Sequence, residues 1–177
     1  MILRQNVFIF DIMSYKSKKD DKPNILSEPM VAYVTGGIGN PFYNLLSRSA
    51  SLNLSNEFDI INLARKGFSK SALLALGKKI SLNLQELANI LHISERTLQR
   101  YDDNDIIKLE YAEKAVELAR LYTRGEEVFG SIDKFKLWMK APSLIFNGEA
   151  PVTILDTSAG FDMVFRELGR IEHGIFA

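Results

Sequence analysis

The 177-residue chain has no cysteine and only two histidines, His92 and His173. That excludes disulfides and thiol nucleophiles and leaves too few soft ligands for a zinc cluster. It has no long apolar run: the N-terminal MILRQNVFIFDIM is too short for a signal sequence and is broken by Asp11, and no window approaches a membrane span. A cytoplasmic protein is expected. It also lacks an excess of either charge, with 22 basic and 22 acidic side chains, and net neutrality argues against a generic nucleic-acid binder. Glycine-rich phosphate loops of the usual form are missing, GGIGN near Gly36 being too short and isolated, so no enzyme chemistry and no cofactor are expected.

What is present is an uneven distribution of that charge. Residues 1–64 carry six basic and six acidic side chains, residues 65–100 seven against two, and residues 101–177 nine against fourteen. A centre of +5 is thus fused to an end of −5. Phosphate binding needs local positive potential, so the centre suits DNA and the acidic end suits another partner or solvent.

The segment QELANILHISERTLQRY, Gln85 to Tyr101, reads as two short amphipathic helices joined by a turn. Leu84, Leu87, Ala88 and Leu91 recur at helical spacing, the small Ala88 permits a close crossing, and Ile93 joins the same core. Ser94 offers an N-cap oxygen. Leu98 and Tyr101 continue the buried face, leaving Glu95, Arg96, Gln99 and Arg100 outward on a helix able to enter a major groove. Arg and Gln suit paired contacts with guanine and adenine edges. The expected DNA-binding set is therefore Arg96, Thr97, Gln99 and Arg100 near bases or phosphates, with Ser94 beside them and Lys78, Lys79 and Ser81 on the backbone. His92 stands where a turn glycine is usual, so it must take a left-handed or strained conformation, and a turn or surface role is the simplest one for it.

A mostly α fold is expected. Ser14 to Pro29 reads as an extended arm or linker, and VAYVTGGIGN after it as a short extended piece or loop. Helices are predicted over PFYNLLSRSASL from Pro41, over Phe58–Ala64, and from a cap at Ser69 to an end at Gly77. A long helix follows Asp105 and ends near Gly130. Another covers Ile132 to Met139 before Pro142, and a last one begins after Asp156 or Thr157, presents Phe161, Val164, Phe165 and Leu168, and ends at Gly174. Leu144 to Leu155 is expected to hold a turn or small irregular hairpin. The division is an N-terminal arm and possible dimerisation segment over 1–60, a central helix-turn-helix domain over 61–107, and a small helical domain over 108–177.

EEVFG at Glu126–Gly130, FKLWM around Trp138, APSLIFNGEAPVTILDT ending at Thr157, and the closing ELGRIEHGIFA stand in this order behind ISERTLQRY. In that order the chain from about Gly67 to its end resembles the Xre/MbcA/ParS-type antitoxins. Phe146 and Asn147 depart from the family's usual glycine-containing turn. The resemblance implies a type II antitoxin that binds its operator through the central domain and neutralises a RES-domain, NAD-depleting toxin through the C-terminal one, commonly as a homodimer. The residues expected to meet the toxin are Trp138, Arg166, Arg170, Glu172, His173, Gly174 and Ile175, the tail after Gly174 entering the toxin's NAD pocket. Core packing is the alternative for Trp138, Phe161 and Phe165, since aromatic stripes at helical spacing usually face inward. A transcription regulator whose C-terminal domain only dimerises is the alternative for the whole chain.

Overall fold

The computed structural model describes residues 41–50 and 57–174; the expected arm at Ser14–Pro29, the segment 31–40 and Ile175 lie outside them. Eight α-helices carry the described chain: α1 Pro41–Ala50, α2 Glu57–Lys66, α3 Lys70–Lys79, α4 Leu84–Leu91, α5 Glu95–Arg100, α6 Leu109–Phe129, α7 Ile132–Lys140 and α8 Ser158–Glu172. Two 3-10 turns, Leu144–Phe146 and Pro151–Ile154, separate α7 from α8. No strand occurs among the described residues, only an isolated antiparallel bridge between Ser69 and Ile106. The fold is mostly α, as the sequence indicates.

The organising element is α6. Ala112, Ala115, Leu118, Ala119 and Tyr122 along it are buried, and it packs against α1, α2, α4, α7 and α8. Small residues at these positions let neighbouring helices approach its backbone, and the helix then serves as a common strut for everything on either side. Residues 41–50, inside the stretch expected to form an arm, are part of this core. Phe42, Tyr43, Leu46 and Ala50 are buried on the face of α1 that meets α3 and α6.

Helix starts follow the expected chemistry. Ser69, Ser94 and Thr157 each accept a hydrogen bond from the backbone N–H three residues on, satisfying donors that have no partner within the helix. Asn83 adds a reciprocal capping box with Glu86 ahead of α4. Gly130, with φ of 64°, terminates α6 in the left-handed region.

One expected boundary is wrong. Helix α3 does not end at Gly77 but runs on to Lys79, and the reversal falls at Ser81, with φ of 61°. Gly77 is a packing residue, since a Cβ there would lie 3.1 Å from Leu87 Cδ2 of α4. The expected irregular stretch from Leu144 to Leu155 resolves into the two 3-10 turns.

Candidate nucleic-acid face and the module behind it

Helices α4 and α5 form the expected helix-turn-helix. Leu87, Ala88, Leu91, Ile93 and Leu98 are buried between them and the core, and Tyr101 is half-buried. With that face committed, Arg96, Thr97, Gln99 and Arg100 all point to solvent. Burial of Leu98 fixes the rotation of a six-residue helix that could not persist alone. The Ser94 hydroxyl is engaged locally, accepting the Thr97 N–H at 3.0 Å and lying 2.7 Å from the Thr97 hydroxyl. Lys78, Lys79 and Ser81 are exposed at the end of α3, with the Lys79 ammonium 5.5 Å from the centre of the Phe42 ring.

The far end of α5 is anchored by Lys70. Its ammonium donates to the Tyr101 carbonyl at 2.7 Å and pairs with Asp103 at 3.3 Å. The chain after α5 then crosses the start of α3, where the Asp105 and Asp103 carbonyls accept the Lys70 and Ser71 backbone N–H groups, each at 3.0 Å. Both ends of the outward helix are therefore held by groups outside it.

His92 adopts the left-handed conformation its position demands, with φ of 57° and ψ of 34°. It is more than a turn residue: its ring Nε2 hydrogen-bonds the Asp156 carbonyl, one residue before the cap of α8, so that nitrogen must carry the proton. Glu86 of α4 likewise pairs with Lys140 of α7 at 3.4 Å. Nothing in the sequence signals these two contacts, whose partners lie 64 and 54 positions away.

Behind the helix-turn-helix, α7 and α8 pack on α6, and the second 3-10 turn packs on both of them. Tyr122, Phe135, Trp138 and Phe146 form a continuous run of ring contacts, with centroids 5.1 to 5.9 Å apart. Trp138 is half-buried in this run, so much of its surface packs inward. Phe161 is fully buried, and Phe165 is half-buried beneath the Arg120 guanidinium at 5.0 Å. Arg166, His173 and Gly174 are exposed, and Arg170 is half-buried and paired with Glu167 at 3.5 Å. Glu172, expected to face a partner, forms an ion pair with Arg124 of α6. Among the described residues the His173 ring lies 4.0 Å from the Glu172 carboxylate.

An open groove of about 1090 Å³ between α2, α6 and α8 is lined by Arg65, Lys114 and Arg120 together with Glu110, Glu113 and Glu117. At its edge the Tyr43 hydroxyl is pushed up to about 12 by burial, Arg120 opposing the shift and Glu127 adding to it. Among the described residues no group of three or more His, Asp or Glu side chains is placed to hold a metal ion, and no helix is long and apolar enough to cross a membrane.

Two family models match adjoining parts of this architecture. Residues 59–120 match the antitoxin Xre-like helix-turn-helix domain, and residues 124–174 match the antitoxin Xre/MbcA/ParS C-terminal toxin-binding domain. The chain belongs to the Xre/MbcA/ParS antitoxin family. Its relatives include antitoxin Xre of Yersinia enterocolitica serotype O:8 / biotype 1B (strain NCTC 13174 / 8081), 27% identical over 135 residues, which cover 75% of this chain and 90% of that protein. The Prs ADP-ribosylating antitoxin of Sphingobium sp. (strain YBL2) is 25% identical over 137 residues, covering 72% of this chain and 86% of the relative. In this antitoxin both matched domains meet on α6, whose first half closes the first and whose last turns open the second.

Proposed function

We propose that this antitoxin neutralises a RES-domain, NAD-depleting toxin by direct binding through its C-terminal module, and represses its own operon by binding operator DNA as a homodimer. It acts in the cytoplasm as a binding protein and has no catalytic role of its own. The observation that carries the reading is the orientation of α5: Leu98 faces the core while Arg96, Gln99 and Arg100 face solvent at the end of the chain's positive central segment. A helix presented in this way fits the major groove, with Lys78, Lys79, Ser81, Ser94 and Thr97 toward the phosphates. ADP-ribosylation, a word carried in the name of one relative, consumes NAD, which agrees with a partner of that chemistry.

On the toxin side, Arg166, Arg170, His173 and Gly174 bring the end of α8 toward the partner, with the last three residues beyond them entering its pocket. Trp138 supports that surface from within the ring cluster, and Glu172 acts through its pairing with Arg124. Expression together with the protein encoded beside this chain's gene tests the reading. Growth arrest should be relieved and the two proteins should co-purify, and deletion of residues 170–177 should abolish both effects. Undiminished toxin binding by the truncated chain would rule out the tail.

A further inference from the structure

The first 3-10 turn sits in a loop that closes on itself. The Ser143 N–H donates to the Glu149 carbonyl at 3.0 Å, and the Ser143 carbonyl accepts from Phe146 at 3.0 Å and Gly148 at 2.9 Å. The Ser143 hydroxyl accepts the Ile145 N–H at 3.3 Å, and Asn147 and Gly148, with φ of 58° and 85°, reverse the chain. Phe146 turns inward, 4% exposed, edge-on to Trp138. The loop is therefore fixed from inside by a ring and along its backbone by hydrogen bonds.

Two of its outward residues are large and apolar, beside the exposed Asn147 and Glu149. Leu144 is 95% exposed and Ile145 46% exposed. On a loop tied this closely neither side chain can reach the core, so the apolar surface stays in water unless a partner covers it.

We infer that Leu144 and Ile145 form a preformed apolar anchor that docks onto the toxin. The toxin is the occupant because the loop lies inside residues 124–174, matched as the toxin-binding domain; the inference rests on the reading that this chain neutralises such a partner. A rigid loop loses little conformational freedom on binding, so exposed aliphatic groups on it contribute more to affinity than the same groups on a flexible segment. The anchor is separate in sequence from the tail after α8, which gives the toxin two points of attachment.

The test is a calorimetric titration of the full antitoxin with the toxin encoded beside it, carried as an inactive variant, comparing wild type with Leu144→Ser/Ile145→Ser and with Leu144→Ala. The double variant should raise Kd at least tenfold, and Leu144→Ala severalfold, with melting temperature and operator binding unchanged. A Kd within twofold of wild type for both variants overturns the anchor. So does a change in oligomeric state at unchanged Kd, which would assign the loop to contact between copies. If wild type itself fails to bind this toxin, the anchor falls together with the proposed function; wild-type binding with indifferent variants sinks the anchor alone.

Discussion

Gly125 lies in α6 where the two matched domains meet, and its replacement by alanine puts two known effects in opposition. Alanine in a helix interior is favoured over glycine by about 1 kcal/mol. Here, however, the added Cβ would lie 2.3 to 2.4 Å from three atoms of the Phe135 ring. Ordinary carbon contacts begin near ~3.5 Å, so the ring must retreat by about 1 Å. It has nowhere to go. Phe135 is fully buried, with ring centres of Tyr122 at 5.1 Å, Phe129 at 5.6 Å and Trp138 at 5.8 Å. Overpacking of this kind costs about 1 to 3 kcal/mol, which cancels or exceeds the propensity gain, so Gly125→Ala should destabilise by up to ~2 kcal/mol net, as much as about 8 °C in melting temperature. Trp138, the only tryptophan, stacks on the displaced ring, so its fluorescence should follow both the unfolding and the local shift. Gly169 in α8 is the control: nothing lies within 4 Å of its Cβ position, and Gly169→Ala should stabilise by about 0.5 to 1 kcal/mol. If both variants gained stability alike, the close approach of α7 to α6 would be refuted.

Arg100→Ala or Gln99→Ala should weaken binding to the operator by about 1 to 3 kcal/mol while leaving random DNA little changed, whereas Lys78→Ala should weaken both and lower the salt slope by about 1. Equal losses on both DNAs for every variant would contradict base contacts. His92→Gly removes the ring bond to Asp156, about 1 kcal/mol, but relieves a left-handed side-chain residue of similar cost, so stability measured in urea should change by less than ~1 kcal/mol. Because the folded pKa of Tyr43, about 12, lies above its unfolded value of 10.0, its contribution is complete below pH 10 and is lost as pH rises toward 12. Tyr43 should supply about 2 to 3 kcal/mol of the loss seen in denaturant titrations, and Tyr43→Phe should remove that share, the rest remaining with Tyr122, which burial also raises.

Much of this fold is legible in the sequence because local chemistry dictates it. Ser69, Ser94 and Thr157 announce helix starts, Gly130 an end, the spacing of Leu87, Ala88 and Leu91 fixes the inward face of α4, and Leu98 that of α5. Failures arise where the deciding atom is remote in sequence. Gly77 looks like a stop signal and is instead the gap into which Leu87 packs. Glu172 reads as a free acid at a helix end, but Arg124, 48 positions earlier, takes it up. His92 reads as a misplaced turn residue until Asp156 is beside it. Periodicity assigns inward and outward faces within helices, but it has no purchase on a short loop, which is why the outward Leu144 and Ile145 give no sign of their exposure.

Operator binding and toxin neutralisation are expected to use two independent surfaces of one chain, joined through α6. The most direct measurement is growth rescue by an Arg96→Ala/Arg100→Ala antitoxin, expressed from an unrelated promoter together with its toxin. Full rescue by a protein that no longer shifts operator DNA is the predicted result. Loss of rescue in a variant that remains folded would contradict it.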